Sequence, residues 1–295
     1  MKIMTMSMVV GTDACNAKCP FCVSKMTGTE CMPTDGYFLF GRNFQKAKDL
    51  ALKNNVTTVL ITGKGEPTLY PKQISECAFA LREFPFIELQ TNGIVLENWR
   101  YEDNPKILES WYMNGMTTIS LSIVHYLRDR NAEILGGQHY NMNRLVTYLQ
   151  SFGFLVRINC TMINGYIGSV ATVESMIKWC KDTKVDQLTI RPMTVPPISR
   201  NKEVSMWASS HNRRLNWETQ KKIHEYISVN GNKLMTLPHG AEVFAFGDMT
   251  VCLSDCLTLA PDKDEIRQLI VYPNGRVAYD WVYDKASTLL PAEKK

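Results

Sequence analysis

Residues 4–22 read MTMSMVVGTDACNAKCPFC, an apolar β-prone run over Met4–Val10 followed at once by three cysteines at positions 15, 19 and 22. The run reads as a strand and the cysteines as the loop after it. Working outward, similar short β-rich runs recur at Thr57–Ile61, Phe86–Gln90, Thr117–Ile123, Phe154–Cys160 and Gln187–Arg191. Between them the apolar residues fall at helical spacing: Phe44, Ala47, Leu50 and Ala51; Leu145, Val146 and Leu149; Val173, Met176, Ile177 and Cys180. Helix stops precede the next strand at Asn54-Asn55, Asn114-Gly115 and Phe152-Gly153. The later strands start at 57, 86, 117, 154 and 187, one βα unit apart each time. Six such units predict a parallel sheet, either open and doubly wound or curved into part of a barrel.

After Arg191 the rhythm stops. Pro192, Pro196 and Pro197 open an irregular stretch, and residues 199–214 are polar and basic. A helix is predicted from Trp217 to Val229. Short β-like runs follow and end in a hairpin, with Ile266–Tyr272 and Arg276–Trp281 joined by a Pro273-Asn274-Gly275 turn. The expected division is residues 1–231 as the main α/β domain and 232–295 as a small β-rich C-terminal extension packed on it as a lid.

The 295 residues are 45% hydrophobic and 21% charged, ordinary for a globular protein. No apolar stretch approaches the roughly 20 residues that span a bilayer as a helix. A net charge of +4 is too mild to imply nucleic acid or an anionic membrane as partner. Met4–Val10 resembles the apolar part of a signal peptide, but only Lys2 precedes it and no small-residue cleavage site follows. Nine cysteines, three of them closely clustered, suit a reducing compartment, so a cytoplasmic location is expected.

A C-x3-C-x2-C spacing lets three thiolates converge on one centre. Structural zinc wants a fourth protein ligand, whereas a reactive centre keeps one coordination position open. With Phe21 before the last cysteine, Cys15-Asn-Ala-Lys-Cys19-Pro-Phe-Cys22 resembles the signature of the radical S-adenosylmethionine (SAM) superfamily. Two further motifs carry the resemblance in the right order at strand ends: Thr62-Gly63-Lys64-Gly65-Glu66-Pro67-Thr68 after the second strand, and Gln90-Thr91-Asn92-Gly93 after the third. Lys64 stands where the family often has another glycine. The resemblance covers roughly residues 4–195.

The resemblance implies a partial (β/α)6 TIM-type barrel. Cys15, Cys19 and Cys22 would hold a [4Fe–4S] cluster, and SAM would lie beside Phe21, Gly65, Glu66 and Asn92. The glycine would admit the ligand closely, and the carboxylate would accept from the methionyl ammonium. Ser122, Arg157, Asn159 and Met193 are carried over as SAM or substrate contacts, with Ser120 on the face of Ser122. The implied reaction is reductive cleavage of SAM, fed by a low-potential electron donor such as flavodoxin or ferredoxin. It would yield a 5′-deoxyadenosyl radical that abstracts hydrogen from a peptide or nucleotide-like small molecule.

Cys252 and Cys256 with the hairpin resemble, faintly, the auxiliary-cluster branches: the molybdopterin-precursor cyclase and the peptide-modifying enzymes. No cysteine follows Cys256, and two thiolates do not complete a four-thiolate cluster. Cys77, Cys160 and Cys180 read as core residues. The basic residues Arg200, Lys202, His211, Arg213, Arg214, Lys221 and Lys222 read as a solvated face, with small phosphate-bearing molecules kept open. His125 and His139 are candidates for proton transfer. The alternative function is a non-catalytic module in which the same cysteines hold zinc.

Overall fold

The computed structural model describes residues 2–29, 32, 40–99, 105–137, 139–237, 239–254, 265–282 and 285–293; Cys31 and Cys256 lie outside them. Its centre is a parallel sheet of β1 (Lys2–Val9), β2 (Thr58–Thr62), β3 (Phe86–Thr91), β4 (Met116–Ile123), β5 (Leu155–Met162) and β6 (Gln187–Pro192), hydrogen-bonded in chain order. All six predicted strands are present, with ends moved by one or two residues. The helices of the barrel are α1 (Val23–Thr27), α2 (Arg42–Lys53), α3 (Pro71–Leu81), α4 (Ile94–Trp99), α5 (Pro105–Met113), α6 (Arg128–Leu135), α7 (Met142–Ser151) and α8 (Val170–Asp182). The result is an α/β partial barrel of the TIM type.

The two-residue period of the strands decides which side chains face the helices. On β5, Val156, Ile158, Cys160 and Met162 are buried and join a core with Leu145, Val146 and Leu149 of α7 and Val173, Met176 and Cys180 of α8. The alternate residues, Arg157, Asn159 and Thr161, take the opposite, inner face and are only partly buried. Burial of the thiols pushes the Cys160 pKa up to about 12 and that of Cys180 well above its usual value, as inert packing cysteines require. The predicted helix stops carry the geometry that ends a helix: Asn55, Gly115 and Gly153 have φ of 55°, 92° and 92°.

The stretch after Arg191 holds an unpredicted helix, α9 (Lys202–Ser209), capped where the Asn201 side chain accepts from the Val204 amide at 3.0 Å. α10 (Trp217–Asn230) is as predicted. The remaining chain does not stack on one side of the barrel. β7 (Asn232–Thr236), β8 (Glu242–Phe246) and β9 (Met249–Leu253) add to the β6 edge, while β10 (Glu265–Val271), β11 (Val277–Ala278) and β12 (Thr288–Leu290) add to the β1 edge. The predicted hairpin is β10–β11, with Gly275 at φ 77° in its turn. β10 runs parallel to β1, Lys2 opposite Glu265 through Met8 opposite Val271, so β1 is an interior strand. That position accounts for its almost continuous apolar sequence.

Candidate active site

β1, β2 and β3 end together, and the three cysteines hang from the first of these ends. A cleft of about 310 Å³ is walled by Cys15, Cys19 and Cys22 together with Asp13, Lys64, Gly65 and Asn201. The cysteine loop is held in place by backbone contacts. The Glu66 amide donates to the Ala14 carbonyl at 2.9 Å, and the Lys18 amide to the Leu135 carbonyl at 3.0 Å. Gly65 is dictated by the first of these contacts, because a Cβ there would lie 2.0 Å from the Ala14 carbonyl oxygen. Gly136, at φ 83°, plays the same part under Lys18, whose Cβ would be 2.8 Å from an added methyl. The expected close approach at Gly65 is thus made first of all by the chain's own loop.

Glu66 is buried, and its carboxylate is a latch. Oε1 accepts from the Thr68 amide at 3.0 Å, the Thr68 hydroxyl at 2.6 Å and the Thr91 hydroxyl at 2.6 Å; Oε2 accepts from the Asn92 amide at 2.9 Å. These bonds tie the end of β2 to the end of β3. Burial pushes the carboxyl above the usual range, and the four donors oppose it. Asn92 carries the latch on to the cysteines: its Nδ2 donates to the Asn16 side chain at 2.7 Å and stands 3.9 Å from Cys15 Sγ.

Phe21 and Met193 belong to one apolar cluster. Met193 is buried with Val124, Ile134, Ile163 and Ala208, and Phe21 packs on that cluster. Trp207 of α9 covers Phe21, ring centroids 6.1 Å apart, and Arg213 lies 5.2 Å over Trp207. The inner face of β4 and β5 places Ser120 beside Arg157 and Ser122 beside Asn159. Arg157 pairs with the buried Glu88 at 2.6 Å and donates from Nε to Gln187 at 2.7 Å. Ser120 Oγ and Asn159 Oδ1 are buried with no hydrogen-bond partner among the described residues, an arrangement that normally costs about 1–3 kcal/mol per group. Buried acceptors left open on an inner face suit a polar ligand or bridging water.

The two histidines of the fourth βα loop sit in different settings. His125 is buried, its Nδ1 accepts from the Leu127 amide at 2.9 Å, and burial followed by the Arg130 charge lowers its pKa to about 4. His139 forms an exposed pair with Asp129 at 3.1 Å. On the basic face, Lys222 pairs with Glu218 at 2.8 Å and Lys221 with Glu225 at 3.8 Å along α10. Cys252 stands on β9 opposite Thr189.

Three thiols on one cleft wall are a donor set for an iron–sulfur cluster that keeps one iron open. Among the described residues no three His, Cys, Asp or Glu side chains already stand in metal-binding geometry, so the sulfurs must rotate toward a common centre. Their protons must also leave. Burial and then the neighbouring Cys22 and Cys15 charges push Cys19 up to about 12, while burial, then Glu66 and Cys22, raise Cys15. The loop bonds and the shared cleft make the residues fit the group. Sequence reasoning gave no role to Thr68, Thr91 or Trp207, although Thr68 and Thr91 lay inside quoted motifs.

Fold and site together define a partial-barrel enzyme with a thiol-lined cofactor cleft at the strand ends. The chain belongs to the radical SAM superfamily, whose family model matches residues 9–204. Membership implies an iron–sulfur cluster and SAM as cofactors. No curated protein sequence matches the chain. Among solved structures, Streptococcus suis SuiB bound to S-adenosylmethionine is similar at a TM-score of 0.62 and 15% identity, covering 95% of this chain and 60% of that one. SuiB bound to precursor peptide SuiA gives 0.56 and 15%, covering 99% and 62%. Native anSMEcpe with bound AdoMet gives 0.61 and 14%, covering 97% and 77%. At these identities the likeness is one of fold, and the chain spans about 60% of the length of SuiB. No helix among the described residues is long and apolar enough to cross a membrane.

Proposed function

We propose that Cys15, Cys19 and Cys22 hold a [4Fe–4S] cluster and that the chain uses it with SAM to modify a peptide. The observation that carries this reading is the joining of the three cysteines, Gly65 and the Glu66–Asn92 latch in one cleft at the ends of β1, β2 and β3. When bound, the cluster and SAM supply reductive cleavage of a carbon–sulfur bond and a 5′-deoxyadenosyl radical able to abstract hydrogen. The chain's part is to bind, orient and exclude water.

Gly65 and Glu66 hold the cysteine loop and the β3 end in register, and the unfilled acceptor capacity of Glu66 Oε2 is the place for the methionyl ammonium. Phe21 and Met193, roofed by Trp207, offer an apolar wall for the adenine ring. Ser122 and Asn159, adjacent across β4 and β5, offer polar contacts to ribose, and Arg157, its charge engaged by Glu88, offers its remaining N–H groups farther along the inner face. The segment from 232 acts as the substrate lid, and a low-potential flavodoxin or ferredoxin supplies the electron. A peptide substrate is favoured over a nucleotide-like one because SuiB, similar over almost the whole of this chain, binds a precursor peptide.

The test is anaerobic purification and reconstitution. Brown protein absorbing near about 400 nm that converts SAM to 5′-deoxyadenosine fits the proposal. Colourless protein carrying zinc overturns it in favour of a structural metal module.

A further inference from the structure

Lys64 occupies the turn between β2 and Glu66, where the superfamily resemblance leads one to expect glycine, and it does not project into solvent. It is 4% exposed and lines the same cleft as Cys15, Cys19 and Cys22. Its Nζ donates to Thr27 Oγ1 at 2.7 Å and to the Trp281 carbonyl at 3.1 Å, and it stands 5.6 Å from the centre of the Trp281 ring. Thr27 ends α1, the helix that begins at the residue after Cys22, and Trp281 packs edge-on against Tyr272 beyond the β10–β11 hairpin. One ammonium therefore joins the β2 turn, the helix after the cysteines and the C-terminal segment.

A lysine this deeply buried carries a large desolvation cost and persists only where fixed dipoles or anions offset it. The hydroxyl, carbonyl and ring are among the groups that hold it, and it lines the cleft in which the three thiols would carry a cluster. Net charge and hydrogen bonding around an iron–sulfur cluster are main determinants of its reduction potential. A fixed cation on the wall favours the reduced, more negative state. Resting on the cluster reading above, we infer that Lys64 is a positioning residue for that charge: it raises the cluster's reduction potential, and the C-terminal segment, by holding the ammonium at the Trp281 carbonyl, is part of the tuning.

The experiment is an anaerobic redox titration, followed by electron paramagnetic resonance, of reconstituted wild-type, Lys64→Met and Lys64→Arg chains with their iron contents measured. Lys64→Met keeps the alkyl packing and removes the charge, and its midpoint potential falls below wild type. Lys64→Arg keeps the charge and stays near the wild-type potential. An iron-loaded Lys64→Met chain with an unchanged midpoint overturns the inference. Loss of iron from Lys64→Met overturns it as well, because the lysine would then serve to assemble the site rather than to tune its potential. Wild-type protein without iron would instead sink the cluster reading on which the inference rests.

Discussion

Gly65 leaves no room for a side chain, since a methyl there would lie 2.0 Å from the Ala14 oxygen, a backbone atom that cannot rotate away. Gly65→Ala therefore pushes the cysteine loop off β2, and iron affinity falls by about tenfold or more, the scale for losing support behind a metal ligand. Iron quantitation after reconstitution checks it, with the melting transition showing that the barrel persists. Asn92→Ala, which removes the bond to Asn16, has the same sign and scale. His125 yields a pH prediction. Its pKa lies near about 4 in the folded chain, below the ordinary histidine value, so the neutral ring contributes stability that is complete above about pH 6.5. That stability is lost as pH falls toward 4. The melting-temperature difference between pH 7 and pH 5 should thus be smaller in His125→Gln than in wild type; an equal difference contradicts it. The cysteines and Gly65-Glu66-Pro67 were legible in the sequence because their chemistry is local. The latch was not, because Glu66 and Thr91 stand 25 positions apart and only the parallel register of β2 and β3 brings them together.

At the scale of elements, the strands were legible because one side of each is uniformly apolar, and the helix stops because asparagine and glycine tolerate positive φ. Helix α9 escaped notice. It is eight residues long, buries only Val204 and Ala208, and follows a proline-rich stretch. Its signal was the Asn201 cap. The helix matters because Trp207 lies on Phe21 and because the Arg200 amide donates to the Met26 carbonyl at 2.7 Å, so α9 and the helix after the cysteines dock together. Trp207→Ala removes an aromatic contact worth about 1 kcal/mol and speeds amide exchange in α1 and α9. Unchanged exchange in residues 23–27 would contradict this docking. SAM affinity of the same variant, measured by equilibrium binding, should fall by a similar factor if the ring roofs the adenine wall.

For the whole molecule, the C-terminal chain is less an appendage than two edges of one sheet. Its composition is legible as β-rich, but its division between the β6 and β1 edges is not, because pairing partners more than 250 positions apart leave no local trace. The ends are clasped as well: Asn43 at the start of α2 donates to the Gly275 carbonyl at 3.0 Å and the Pro291 carbonyl at 2.7 Å. Deleting residues 265–293 strips β1 of β10 and exposes an apolar edge beside the cysteine loop, so the shortened chain should aggregate or melt without cooperativity. A soluble, cooperatively melting truncation would show that the extension is dispensable to the barrel. The central claim is that three cysteines on one cleft wall bind a cluster that cleaves SAM. Its most direct test is iron content and 5′-deoxyadenosine production on anaerobically reconstituted wild type and Cys15→Ala, Cys19→Ala and Cys22→Ala chains. The account predicts about four irons per wild-type chain with SAM cleavage, and loss of cleavage in each variant; deoxyadenosine still formed by any of the three variants would contradict it.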